Sequence, residues 1–314
     1  MVEERFRLVT RSDFDGLVCA VLLKELDLID DIKFVHPKDV QDGLVEIQHG
    51  DIITNLPYSP KASYVFDHHI SELIRVGAKS NSYINPQAPS AARIVWETFG
   101  GKERFSNIPE ELMTAVDKAD SADYTIDDIM HPTGWTLLSF IMDSRTGLGR
   151  FHNFRISNYQ LMMNLIDFCR AHDPEEILEI PDVKERVDLY FSHQDKFIEQ
   201  LKKQTVIHKN LAYIDILNED ILYAGNRFMI YALYPEINVS MHAMWRVNGQ
   251  RIVYAIGKSI LNKTNLINIG ELMLRFGGGG HINVGTCQID LDQAASVKDE
   301  LISILTDPQY TQKA

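Results

Sequence analysis

The stretch Tyr64-Val65-Phe66-Asp67-His68-His69 decides how this chain is read. Its apolar half, rich in β-branched and aromatic residues, reads as the end of a buried strand. Its second half delivers a carboxylate and two imidazoles to that strand's tip. In an open α/β sheet ligands bind outside the carboxyl ends of the strands, so Asp67, His68 and His69 are expected to face a site. Adjacent Asp and His suit a divalent metal of intermediate softness, such as Mn or Fe(II).

Working outward, residues 6–10 read as a first strand, followed by the acidic turn Arg11-Ser12-Asp13-Phe14-Asp15-Gly16 and an apolar helix from Leu17 to Leu28. Strand, acidic turn and buried helix form the opening of a doubly wound fold. Short strands are predicted near 33–36, 52–55 and 63–66. Pro89-Ser90 predicts a helix through Phe99, and Pro109 one from Glu110 to about Ala119. A largely parallel sheet follows. From 123 to 154 the pattern is less regular. Helices are read over 158–172 and, as a charged amphipathic link between domains, over 183–204.

Beyond Thr205 the texture changes to strands, with Asn248-Gly249 as a hairpin turn. A helix from Leu266 to Phe276 runs into Gly277-Gly278-Gly279-Gly280-His281, and strand 284–291 and a helix over 293–305 follow. The expected organisation is a domain of residues 1–182, a linker helix 183–204 and a smaller α+β domain of 205–314, with a cleft between the domains.

The 314 residues are 45% hydrophobic and 24% charged, as expected of a soluble two-domain protein. No run approaches the roughly 18 apolar residues of a membrane span, and the N-terminus shows no secretory pattern. Three widely spaced cysteines (Cys19, Cys169, Cys287) predict reduced thiols and a cytoplasmic protein. The net charge of −13 opposes long polyanions, because affinity for a phosphate backbone comes from Lys and Arg. A small phosphorylated substrate held by a local positive site stays open.

Asp13 and Asp15, two apart in the turn, can both turn toward one cation, and Gly16 allows close backbone approach. Asp120 and Asp117 lie at a helix end, where a carboxylate opposes the helix dipole unless a cation compensates it; Asp117 reads rather as a surface acid. The glycine run offers backbone amides to an anion, with His281 as a further donor. Lys258 and Ser259, ending a strand, offer a point charge and a hydroxyl to a phosphate. Arg145 and Arg150, in a glycine-broken loop, are secondary candidates.

The ordered set Ser12 to Gly16, Asp67-His68-His69, Asp120 and Gly277 to His281 resembles the DHH phosphoesterases with their C-terminal DHH-associated domain, over nearly the whole chain. The resemblance implies a catalytic domain with a manganese site, Mg or Fe(II) being alternatives, facing a smaller domain that grips the substrate. Asp13, Asp15, His68 and Asp120 then take metal roles and His69 a supporting or phosphate-contacting one. Asp67 belongs to the same catalytic motif. Lys258, Ser259, Gly278, Gly279, Gly280 and His281 take the gripping roles. Two departures stand out. The family commonly has a metal-binding His just before the paired acids, where this chain has Val9 and Arg11. It also has a bridging Asp at the end of the strand before Asp-His-His, where this chain has Thr54-Asn55. A neutral Asn55 bridges metals poorly and Arg11 repels a cation. One ion on Asp15, His68 and Asp120 is therefore expected to bind better than a second, with Arg11 replacing part of the missing charge. The expected function is metal-dependent hydrolysis of short linear oligoribonucleotides or dinucleotides. The alternatives are an exopolyphosphatase or a nucleotide-binding protein with little turnover. The expected partners exclude long duplex nucleic acid and membranes and leave a homodimer open.

Overall fold

The computed structural model describes residues 5–246 and 249–311. The chain divides into two compact units, one of Met1–Asp123 and Pro132–Leu189, the other of Tyr124–His131 and Tyr190–Ala314. The division falls inside the helix Pro181–Gln204, and the segment Tyr124–His131 belongs with the second unit although it precedes Pro132 in sequence.

The first unit is built on five strands, β1 (Phe6–Arg11), β2 (Ile29–Val35), β3 (Asp51–Thr54), β4 (Tyr64–Asp67) and β5 (Ser82–Ile84), all pairing in parallel in the order β2-β1-β3-β4-β5. Strand side chains alternate between two apolar layers. Leu8, Ile52 and Phe66 join a core with the helices Phe14–Glu25, Ala91–Thr98, Glu110–Asp120 and Asn158–Ala171. Val9, Ile53 and Val65 join Val35, Ile47, Leu56 and Ala62 on the opposite face. Both faces are therefore covered, as an all-parallel sheet requires. Because β2 lies on one side of β1 and β3 on the other, the order in which strands are added to the sheet reverses between β1 and β3. A crevice opens at the carboxyl ends where such a reversal occurs, and Arg11, Asn55 and Asp67 all stand at these ends.

The first helix begins at Phe14 rather than Leu17, because Asp13 caps it: its Oδ1 accepts the Gly16 amide at 3.0 Å. It is buried from Phe14 through Leu23. Each fully buried Leu or Val there contributes about 1.5–3 kcal/mol relative to exposure. The early start places Asp15 in the first helical turn.

The second unit carries a mixed sheet of six strands, β6 (Thr205–His208), β7 (Leu211–Asp215), β8 (Val239–Trp245), β9 (Arg251–Lys258), β10 (Gly279–His281) and β11 (Val284–Asp290), in the order β10-β11-β9-β8-β7-β6. All pairs are antiparallel except β7 with β8. Helices Ile269–Leu274 and Leu291–Leu305 share a core with Met241, Ile256 and Cys287 on one sheet face. On the other, the Tyr231 hydroxyl bonds Ser240 Oγ at 2.8 Å and the Gly257 carbonyl at 2.9 Å. Of the expected Asn248-Gly249 turn between β8 and β9, Asn248 lies outside the described residues, and Gly249 has φ +66°. Among the described residues no helix is long and apolar enough to cross a membrane.

Candidate active site

The site grows from the tip of β1. Here the first helix approaches the strand so closely that a Cβ on Gly16 would stand 2.0 Å from the Arg11 carbonyl and 2.7 Å from Thr10 Oγ1. Beside it, the Thr54 and Thr10 hydroxyls bond at 2.6 Å, lashing the tips of β1 and β3 together. Asp15, 2% exposed, is held from far along the chain: its carboxylate accepts the amides of Ala91 at 3.0 Å and Ala92 at 2.8 Å. These are the first amides of helix Ala91–Thr98, an N-terminus made for an anion. Ser90 caps that helix through Arg93 N and donates to Asp117 Oδ1 at 2.7 Å. Asp117 also receives Arg93 Nε at 2.8 Å. Asp117, read from the sequence as a surface acid, is instead a mostly buried fastening between helices.

Asp15, His68 and Asp120 come together: one ligand atom from each lies within 4.8 Å of the others. His68 Nε2 is buried and stands 2.8 Å from Asp120 Oδ2, yet makes no aligned hydrogen bond to any described residue. Two carboxylates and an imidazole fit a divalent ion of the Mg, Mn or Fe(II) type. The electrostatics agree. Burial, reinforced by Asp120, pushes the Asp15 carboxyl well above the usual range. Burial alone would lower the His68 pKa, but Asp120, then Asp15 and Asp67, raise it to about 9. Asp15, His68 and Asp120 would hold such a cation, whose charge would offset the carboxylate repulsion and favour the neutral imidazole.

Asp13 and Asp15 were expected to turn toward one cation; Asp15 stands in the trio, and Asp13 is engaged by other partners beside it. Asp13 is the extended N-cap of the first helix, and burial, with the nearby charge of Asp120, raises its pKa. Its Oδ1 accepts Gly16 N and faces Asn55 Nδ2 at 3.5 Å, and its Oδ2 pairs with Arg11 Nε at 2.8 Å. Asn55, 2% exposed, sits at the end of β3 with φ +54°.

At the end of β4, Asp67 is 1% exposed. Its Oδ1 accepts the His68 amide at 2.9 Å and meets His69 Nδ1 at 2.7 Å. A proton on Nδ1 leaves Nε2 as the outer nitrogen of His69. Asp67 orients the His69 ring and the backbone of His68, while its buried Oδ2 has no hydrogen-bond partner among the described residues. Sequence reasoning passed over Asp143, whose Oδ1 holds Arg145 through its amide at 2.9 Å and its Nε at 2.7 Å. The charges of Asp13 and Asp120 bear on that guanidinium. Arg150 packs over Gly147, where a Cβ would meet its guanidinium at 2.4 Å. The amides of Ala91 and Ala92 were also missed, although Pro89-Ser90 signalled that helix start.

In the second unit, burial lowers the pKa of Lys258 at the end of β9. Ser259 Oγ accepts the amides of Leu261 at 3.2 Å and Asn262 at 3.0 Å, a turn-holding use. The glycine run is more ordered than a flexible cradle. Gly277, with φ +69°, ends helix Ile269–Leu274: its amide bonds the Leu274 carbonyl at 3.1 Å and the Gly278 amide the Met273 carbonyl at 2.9 Å. The Gly278 amide, expected to face an anion, is therefore occupied. Gly279, Gly280 and exposed His281 form the edge strand β10. A Cβ on Gly278 or Gly280 would meet a backbone oxygen of β11 at 2.1 or 2.2 Å, whereas Gly279 faces open space.

No family profile matches the chain, and no curated protein matches it. Among solved structures, the pGpG-specific phosphodiesterase PggH of Vibrio cholerae is similar with 55% identity and a TM-score of 0.85, over 96% of this chain and 99% of that one. RecJ of Thermus thermophilus, in complex with Mn2+, is similar in fold with 14% identity and a TM-score of 0.50, over 96% of this chain and 52% of that one. CDC45 of Entamoeba histolytica is similar in fold with 9% identity and a TM-score of 0.53, over 97% and 96%.

Proposed function

The chain belongs to the DHH phosphoesterase family, and from that premise we propose that it hydrolyses pGpG, or a closely similar short linear dinucleotide, at a divalent-cation centre on Asp15, His68 and Asp120. The observation that carries this reading is the convergence of those three side chains at the strand tips, in a chain 55% identical to a protein described as pGpG-specific. In the reaction water attacks the bridging phosphorus, the bond from phosphorus to the 3′ oxygen breaks, and that oxygen leaves with a proton, giving two mononucleotides. A divalent cation held by the trio supplies Lewis-acid polarisation of the phosphoryl group and makes water a competent nucleophile at neutral pH. Manganese is the ion we expect.

The residues of this chain do the positioning. The amides of Ala91 and Ala92 hold Asp15 still. Asp67 fixes the ring of His69 through Nδ1, which gives Nε2 to a phosphoryl or leaving oxygen. Arg145, braced by Asp143, adds positive charge on the acidic side. Lys258, Gly279 and His281 are the phosphate-holding candidates of the second unit. A small substrate accords with a net charge of −13.

The test is a substrate panel of pGpG, pApA, cyclic di-GMP, a longer oligoribonucleotide and polyphosphate, each with and without Mn2+ and read by chromatography of the products. GMP release from pGpG that depends on added metal, and that is lost in His68→Ala, is the expected result. Phosphate release from polyphosphate alone, or full turnover in His68→Ala, would overturn the assignment.

A further inference from the structure

We propose that this centre works with one divalent cation and one resident guanidinium, Arg11 filling the place beside Asp13 that a second cation would need. The proposal rests on the reading of Asp15, His68 and Asp120 as the cation site.

Three observations carry it. The first is the engagement of Asp13. Its Oδ2 is 2.8 Å from Arg11 Nε, and its Oδ1 accepts the helix-capping amide of Gly16. Asp13 is thereby kept out of the group that Asp15, His68 and Asp120 form. The second is Asn55. Buried and held at φ +54°, it turns its NH2 group, not its carbonyl, toward Asp13, while Asn55 Oδ1 has no hydrogen-bond partner among the described residues. As a neutral amide, Asn55 brings no negative charge to a second cation, whichever of its two ends faces it. The third is charge. Of the four carboxylates at the strand tips, Asp67 is engaged by the His68 amide and the His69 ring, and the charges of Asp13, Asp15 and Asp120 match one divalent ion and one guanidinium. A second divalent ion would lie against Arg11, with Arg145 also bearing on Asp13 and Asp120.

The arrangement gives Arg11 a task. Its Nε is held by Asp13, and its two terminal nitrogens make no hydrogen bond among the described residues, with about a third of the side chain exposed. A planar fork fixed at one end presents two donors in a set direction, the geometry that matches phosphoryl oxygens. The charge that a second ion would bring on binding is thus part of the fold before substrate arrives.

The experiment is calorimetric titration of the full chain with Mn2+, paired with electron paramagnetic resonance of the loaded protein. Wild type is expected to take one Mn2+ per chain and to show the six-line spectrum of an isolated ion. Arg11→Gln combined with Asn55→Asp is expected to take a second Mn2+, with the spectrum broadened by coupling between neighbouring ions. Arg11→Lys, which keeps the charge, is expected to stay at one. Two coupled ions in wild type would overturn the proposal. So would a double variant that retains its first ion at wild-type affinity and still takes only one. If wild type takes none, the trio is no cation site, and the reading beneath the proposal fails with it.

Discussion

Replacing Gly16 by Ala tests whether the closeness of the first helix to β1 is what aligns the centre. The backbone there is ordinary helix, so substitution alone should favour folding by about 0.5–1 kcal/mol, since Gly is the costlier helical residue. The new methyl, however, would stand 2.0 Å from the Arg11 carbonyl and 2.7 Å from Thr10 Oγ1. The carbonyl belongs to the backbone of a strand paired on both sides and cannot turn away. Relief to a normal contact needs a helix retreat of roughly 1 Å or more, and overpacking of this kind costs about 1–3 kcal/mol, occasionally more. The clash wins, and a net loss of about 1–2 kcal/mol is expected in urea unfolding of the metal-free protein. The retreat carries Asp15 away from His68 and Asp120, and a displacement of that size at a reacting centre costs about 10²-fold in rate. Calorimetry should show at least a tenfold weaker Mn2+ affinity. A Gly16→Ala protein that is more stable than wild type and binds Mn2+ unchanged would refute the reasoning.

Three further outcomes follow from particular contacts. Asp67→Asn should retain the fold and lower kcat by about 10²-fold or more with a smaller change in KM, because the amide no longer fixes the tautomer of His69; steady-state kinetics on pGpG reads it. Gly278→Ala should cost more than about 2 kcal/mol in urea, because its Cβ would meet the Thr286 carbonyl, whereas Gly279→Ala should stay within about 0.5 kcal/mol. His242 is pushed by burial to a pKa of about 4, below its ordinary 6.5. Its neutral form therefore stabilises the fold fully above pH 6.5, and this contribution is lost as pH falls toward 4, a loss of about 2 kcal/mol after allowing for partial exposure. His242→Gln should flatten that part of the stability profile, measured by urea midpoints between pH 4 and 7.

The sequence by itself determined the local pieces. The run ending in Asp67-His68-His69 had to be a buried strand with its polar residues at the tip, and the chain from Phe6 to Leu28 had to be strand, acidic turn and apolar helix. Hydropathy disfavoured a membrane span, and the acidic balance disfavoured long polyanions. These follow from periodicity, from composition and from the few residue types that tolerate such positions. The family resemblance already grouped Asp15, His68 and Asp120, but only tertiary structure decided what fastens each acid. Asp15 enters the trio and Asp13 does not, because a helix that begins at Ala91 offers its first amides to one of them and Arg11 takes the other. Asp117 and Asp120, three residues apart on one helix, part company because one faces Ser90 and Arg93 and the other His68. The glycine run looked like a free cradle until helix capping and an edge strand took up its amides and its space. Pairings of this kind depend on the order of strands and on the direction from which distant helices arrive. No window of sequence contains that information where the groups that meet, such as Asp15 and Ala91, are separated by dozens of residues.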